Sequence, residues 1–249
     1  EMVPGVDMYN SLKMSEDEWA SIKSIRVIEL VNNIMAEGKN PVLTGIKIDR
    51  KNKINANSTE ILKLTDEYNL LELSNMCAFN KDKLVGWLDE DESKGYNYIT
   101  GNVKRTAENA YNDQVKISSM IMHVKSNTRV NLSENEPFIE VKIKIEQNIR
   151  SIEGNFDISS KENKQVLNEM FESKVKSLCE KALNKAQKEL KTDIFGFGEA
   201  IHRKHPKLWK KLKKEWSNKF PDLPVNITVE VETKQLGGIG KPLFMKEEE

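Results

Sequence analysis

Between Phe138 and Ile152 the side chains alternate so regularly that the backbone has few options. Ile139, Val141, Ile143, Ile145 and Ile149 fall on one parity, and Glu140, Lys142, Lys144 and Glu146 on the other. A period of two sends one set into a core and the other into water, which is the pattern of a half-buried strand in an antiparallel sheet. A strand apolar on one face needs a second layer, and the next stretch supplies it. From Val166 through Phe171, Val175, Leu178 and Ala182 to Leu190, apolar residues recur at helical spacing. They predict one helix from about 160 to 190, capped by Ser159 or Ser160, spanning roughly 45 Å at about 1.5 Å per residue. Val225, Ile227, Val229 and Val231 alternate with Asn226, Thr228, Glu230 and Glu232 as a last sheet strand.

Upstream, Ser15 with Glu18 three residues later forms a capping-box pattern, and Met14 with Trp19 a hydrophobic staple, so a helix is expected to start there. It either runs to Ala36 or stops near Lys23 and restarts near Ile25. Val27, Ile28, Leu30, Val31, Ile34 and Met35 give the second part a broad apolar face. Gly38 suits a left-handed cap and Pro41 blocks continuation. Residues 42–48 read as a strand, 49–69 as a polar loop, and 70–79 with 84–88 as a hairpin across the turn at 80–83. Asp89 and Glu92 form a second capping-box pattern, opening a helix that ends at Gly101. Residues 114–132 are strand-like, but Met120, Met122 and Val124 interrupt the alternation, which reads as burial on both sides. Asn131 to Pro137 reads as a polar turn.

Charge is balanced, with 39 basic and 39 acidic side chains in 249 residues, which argues against wholesale nucleic-acid binding. The balance is uneven along the chain: residues 1–100 carry 12 basic against 17 acidic groups, and the rest 27 against 22. Two cysteines, Cys77 and Cys179, are too few for a disulfide framework and read as buried thiols. No apolar run approaches the roughly 18–20 residues of a membrane span, and no secretory signal pattern is present.

Catalytic constellations are not signalled. There is no G-x-S-x-G elbow, and neither cysteine has a neighbouring histidine or basic cluster to lower its pKa. Glu199, His202 and His205 could share a helix face as metal ligands, but Pro206 favours a helix restart, making His205 a boundary residue. His123 stands alone in a strand, as a core or edge histidine. No cofactor is expected. The G-x-G at Gly196 and Gly198 lacks the preceding strand and the following Gly-Lys-Ser/Thr of a phosphate loop.

The stretch 193–233 concentrates the remaining signal. Between Ala200 and Phe220 eight Lys or Arg side chains face a single acid, Glu215. A helix of about 206–217 would hold Leu208, Trp209, Leu212 and Trp216 on one face, with lysines over the rest. Those lysines are read as a solvated face, as a contact for anionic headgroups or an acidic partner, or as a nucleic-acid contact, which the neutral chain disfavours. The candidate membrane- or partner-facing residues are Arg203, Lys204, Lys207, Lys210, Lys211, Lys213 and Lys214.

Several strings occur together in one order: VNNIM (31–35) with Glu37, Gly38, Pro41, Val42 and Leu43; FNKDKLVGWL (79–88) with Glu92, Ser93 and Gly95; KAQK (185–188); DIFGFGE (193–199); HRKHPKLWK (202–210); then Trp216, Phe220 and Pro221. Across about residues 25–242 the chain resembles the Ger(x)C family, the C subunits of spore germinant receptors. The resemblance implies an α+β fold with two domains, each a mostly antiparallel or mixed sheet packed with helices. Residues 1–105 would be the middle domain, beginning with a linker from a first domain outside this sequence. Residues 106–243 would be the C-terminal domain, and 244–249 a tail. It further implies a non-enzymatic subunit, peripheral on the outer face of the spore inner membrane. The lipid anchor would lie outside this chain, and the partners would be the A and B membrane subunits, with no nucleic acid. It carries over no catalytic residues. The alternative is an enzyme acting on spore envelope or cell-wall material.

Overall fold

The alternation at 138–152 builds the central strand pair of the molecule. In the computed structural model, which describes residues 4–48, 71–112, 115–134, 136–154, 156–158 and 160–235, β5 (Val115–Ser133) and β6 (Glu136–Gly154) pair antiparallel along nearly their full length. Strand β4 (Thr106–Tyr111) adds antiparallel to β5. Strand β7 (Val225–Gln235) adds parallel to β6, giving a mixed four-stranded sheet in the order β4-β5-β6-β7. The inward parity of β6 is fully buried from Ile139 to Ile149.

Helix α4 (Lys161–Asn184) lies over this sheet and packs Leu167, Phe171, Val175, Leu178 and Ala182 into the core. Ser160 caps it by accepting from the Asn163 amide at 3.0 Å. The expected continuous helix to residue 190 instead widens into a π-helical turn over Lys185–Glu189. That turn swings the buried Gln187 amide onto the carbonyls of Phe220 and Leu223, both at 2.9 Å. The buried amide thereby ties the end of the long helix to the segment before the last strand, adding a second donor to the Phe220 carbonyl, which also accepts from the Leu223 amide at 3.2 Å.

A second, three-stranded sheet is antiparallel in the order β1-β2-β3, from β1 (Val42–Ile48), β2 (Leu71–Asn80) and β3 (Lys83–Trp87). The hairpin expected at 70–88 is there. After it Asp89 and Glu92 form the reciprocal capping box of α3 (Glu90–Thr100), both bonds at 2.8 Å, and Gly101 closes the helix in the left-handed conformation. One hydrophobic core runs through both sheets, from Val42, Met76 and Leu88 to the inward residues of β5, β6 and β7. Helix α3 connects them by packing on α4 at Gly95. Among the described residues no helix is long and apolar enough to cross a membrane.

Three local readings are corrected, and one expected face lies largely open. Helix α1 (Pro4–Glu18) ends where a helix was expected to begin: the Ser15 carbonyl accepts from Trp19 N at 2.8 Å, inside the last turn. Its acids bond elsewhere, Glu16 to Ser24 and Asp17 to Lys104, and Met14 and Trp19 are exposed rather than stapled. Helix α2 (Val27–Met35) carries the expected apolar face, with Leu30 and Ile34 half-buried, but leaves Val27 78%, Ile28 60% and Met35 77% exposed while Asn33 is buried. β5 is not buried on both sides. Ile121 pairs with Gln147 and His123 with Glu146, so Met122 is an extra residue in a bulge. The buried parity switches there, from Ile117 and Ile121 to Val124 and Val130. Finally, β5 and β6 run through most of the expected turn at 131–137. The polar loop at 49–69 and the tail at 244–249 lie outside the described residues.

Gly95 gives a test of the α3–α4 contact. A Cβ there would lie 2.6 Å from the carbonyl carbon of Leu178 and 2.9 Å from the Ala182 methyl. Alanine in a helix interior gains about 1 kcal/mol over glycine, but backbone cannot move aside as a side chain can. Gly95→Ala is expected to lose about 2 kcal/mol or more in urea unfolding. Gly86→Ala, whose Cβ meets only the flexible end of Leu190, should lose less.

Candidate functional site

Past the π-helical turn the chain reaches Asp193, whose side chain is fully enclosed. Its Oδ1 accepts from the amides of Phe195 (3.1 Å), Gly196 (2.8 Å) and Phe197 (3.2 Å). Its Oδ2 accepts from the Gly198 amide at 2.8 Å and from the Trp216 indole Nε1–H at 3.1 Å. The turn can present four amides to one carboxylate because Gly196 adopts φ +83°. The carboxylate stands at the N-terminus of α5 (Phe197–Lys204), where the first amides have no helical partner and the dipole favours an anion. Burial nevertheless outweighs the five donors and pushes Asp193 up to about 6.

This turn locks onto the segment between α2 and β1. The Glu199 amide donates to the Gly38 carbonyl at 3.1 Å. Gly38 and Gly198 lie so close that a Cβ on Gly198 would sit 2.8 Å from the Gly38 Cα. Glu37 accepts from Trp209 Nε1 at 3.2 Å and from Lys213 Nζ at 3.3 Å, and those two donors hold its carboxyl below the usual range. Asn40 donates to the Asp193 carbonyl (3.3 Å) and accepts from the Lys81 amide (3.0 Å). Lys81 Nζ donates to the Ala36 carbonyl. Trp209 and Trp216 meet edge to face with centroids 5.3 Å apart, and His202 stacks on Trp209.

The basic helix therefore divides into α6 (Pro206–Leu212) and α7 (Trp216–Lys219), the chain leaving the helical path where Trp216 bends toward Asp193. Pro206 opens α6 and His205 joins α5 to α6, as the sequence leads one to expect. Among the described residues no group of three or more His, Cys, Asp or Glu side chains is placed to hold a metal. Cys77 and Cys179 are both buried and free, and burial pushes both thiols up.

The seven candidate basic residues do not form one site. Lys204 Nζ donates to the Val130 carbonyl at 2.6 Å, tying α5 to β5, and Lys213 pairs with Glu37. Arg203, Lys207, Lys210 and Lys211 are exposed, and their side chains make no hydrogen bond or ion pair within the described residues. Lys213 and Lys214 instead line a groove of about 360 Å³, together with Asn80, Lys81 and Lys191, over Trp209, Trp216 and Phe220. Sequence reasoning misses Glu37, Asn40, Lys81 and Lys191, because a helix stop and a hairpin turn explain the first three. The available signal is that Glu37 and Lys81 sit in strings that carry the family resemblance.

The folded value of Asp193 lies above its ordinary 3.8, so the folded chain holds this proton more tightly than the unfolded one. The stability this contributes is full below pH about 4 and is lost as pH rises through about 6. Asp193→Asn puts an amide N–H₂ against the donors of Gly198 and Trp216. It should destabilise by about 2 kcal/mol or more. In urea unfolding, the gap between wild type and variant should narrow from pH 4 to pH 7, since at position 193 only the wild type carries a group that titrates there.

Residues 74–237 match the family model described as Spore germination B3/GerAC like, C-terminal. The chain is 25% identical over 260 aligned residues to spore germination protein KC of Bacillus subtilis (strain 168), covering 98% of this chain and 60% of that protein. It is 23% identical over 161 residues to spore germination protein B3 of the same organism, covering 64% of this chain and 43% of B3. The crystal structure of the GerBC protein superposes with a TM-score of 0.67 at 16% identity, over 86% of this chain and 65% of that one, a likeness of fold. The chain thus spans less than two thirds of the length of each of these proteins. The mixed and antiparallel sheets packed with helices agree with the α+β class that the residue strings imply, and the chain belongs to the Spore germination B3/GerAC-like family, whose C-terminal model covers most of its length.

Proposed function

We propose that the chain is part of a non-enzymatic subunit of a spore nutrient germinant receptor. It assembles with the A and B membrane subunits on the outer face of the spore inner membrane, and a lipid anchor outside these residues attaches it. Within it, residues 1–105 and 106–243 act as two domains. One observation carries this reading. The family match covers the strings that build the Asp193 turn and its tryptophans, and those residues hold one another through saturated hydrogen bonds instead of presenting reactive groups. Such an interlock fixes surfaces for assembly. The names of the relatives, spore germination proteins KC and B3, supply the process.

The outward set Arg203, Lys207, Lys210 and Lys211 is the second attachment to the bilayer. One acyl chain holds a protein only marginally, and each Lys or Arg near an anionic surface adds about 1 kcal/mol.

Two measurements test this. Tagged chain immobilised and exposed to detergent-solubilised spore inner membrane should retain the A and B subunits; retention of neither ends the receptor reading. In co-sedimentation with phosphatidylglycerol vesicles, Lys207→Glu with Lys210→Glu and Lys211→Glu should weaken binding by about tenfold or more. Binding that ignores both salt and these substitutions removes the membrane role of this face.

A further inference from the structure

Two apolar faces in the first half of the chain lie open among the described residues. One is a stripe on α2. At about 100° per residue, Val27, Val31, Met35 and Ile28 fall within about 100° of arc, and they are 78%, 41%, 77% and 60% exposed. The other is the outer face of the three-stranded sheet. The strand register sets Leu43, Cys77 and Trp87 in one row across β1, β2 and β3. Phe79, two residues on from Cys77, stands beside Leu84 in the next row, because Val85 is an extra residue in β3. Trp87 lies against Gly45 of β1, yet it remains 50% exposed, and Leu84 51%. Neither the stripe nor these rows carry a charged side chain. The opposite face of the sheet, with Val42, Met76 and Ala78, belongs to the core. A sheet apolar on both faces needs a layer on each, and exposed apolar patches of this kind mark interaction sites.

We propose that these two faces cover each other in a two-fold dimer of this chain, α2 of one copy lying across the outer face of the β1–β2–β3 sheet of the other. The dimensions agree. A nine-residue helix is about 14 Å long, and three strands spaced about 4.8 Å apart present a face about 14 Å wide. The contact repeats the packing on the other side of the sheet, where α3 supplies the helix and Ser93 accepts from the Met76 amide at 3.2 Å. One helix-on-sheet contact is small against the about 1,200–2,000 Å² that a stable interface buries, and the two-fold axis supplies two. A chain with 39 basic and 39 acidic side chains sets up no net repulsion between its copies. A lipid surface would accept either face singly, whereas a second copy brings a bare sheet to the bare helix and a bare helix to the bare sheet. Burial of uncharged surface drives the association, so salt should weaken it little. The contact uses none of the outward lysines and does not depend on the receptor reading.

Sedimentation velocity and light scattering on the whole chain test this. The chain should be a dimer at micromolar concentration, should dissociate on dilution, and should behave alike at low and high salt. Val27→Glu with Met35→Glu, and separately Leu84→Lys, should each raise the dissociation constant at least about tenfold. Mixed in equal amounts, the two variants should form a heterodimer tighter than either variant alone. That heterodimer joins one intact stripe to one intact sheet face, and in its second contact sets glutamates against a lysine. The three positions are 78%, 77% and 51% exposed, and circular dichroism with urea unfolding verifies that both variants fold. A monomer throughout the concentration series overturns the proposal. So does wild-type dimerisation in either variant, or a mixture that restores nothing. Loss of phosphatidylglycerol vesicle binding by the helix variant, with its oligomeric state unchanged, would make lipid the occupant and overturn the dimer as well. A monomer that still retains the A and B subunits would refute the dimer while leaving the receptor reading intact.

Discussion

An enclosed carboxylate needs its hydrogen-bond donors already in place, because an ionised group taken out of water without them costs several kcal/mol. Asp193 meets that condition only when residues 195–198 turn back on it and Trp216 delivers its indole N–H. Each requirement fixes something larger. The turn sets the first residue and direction of α5. The indole sets where α7 begins, and hence the bend after α6. With α5 in place, Gly198 rests on Gly38, and the segment joining α2 to β1 is drawn against it by the Glu199–Gly38 bond. Glu37 can then reach Trp209, which orients α6. The groove walls and the outward lysines inherit their positions from this sequence of contacts.

Much of the regular structure is legible in the chain because its cause is local. The alternation of β6 and β7, the spacing of α4 and the reciprocal Asp89–Glu92 cap each need only neighbouring residues to be read. The failures share a different cause. β4 sends Thr106, Glu108 and Ala110 inward, so its buried parity is mostly polar and offers no hydrophobic period. In β5 the bulge at Met122 moves the buried set to the other parity, which a fixed period blurs into two-sided burial. Helix α2 shows a clear apolar face, yet periodicity locates a face without saying whether this chain covers it. The buried position is Asn33, and the exposed ones are Val27, Ile28, Val31 and Met35.

The site is less legible than the fold for the same reason. A turn is readable at Gly196 and Gly198, and a helix start at Pro206. The role of Asp193 is not, because four of its five partners are backbone amides, which carry no sequence identity, and the fifth lies 23 positions away. The groove is harder still, since it exists only once Lys81, Lys191 and Lys214 are brought together from three elements. What the sequence presents as one basic helix face, the structure separates into residues that bond within the fold, residues that border the groove, and residues that face outward.

That separation bears on why the outward residues are basic at all. Lys204 and Lys213 have carbonyl or carboxylate partners, so the folded chain itself accounts for them. Arg203, Lys207, Lys210 and Lys211 have none within the described residues, and an exposed ion pair would contribute at most about 1 kcal/mol even if one formed. Lys207 lies three and four residues before Lys210 and Lys211 on α6, where like charges repel by a few tenths of a kcal/mol per pair. Folding alone would favour replacing one of them with an acid, and the only acid between Ala200 and Phe220 is Glu215, beyond the end of α6. A face that carries a small standing repulsion and no counterion among the described residues is relieved when an anion outside the fold approaches it. The fold holds this face fixed through the bonds that place Trp209 and Trp216, so the approach requires no rearrangement of the helices that carry the charge.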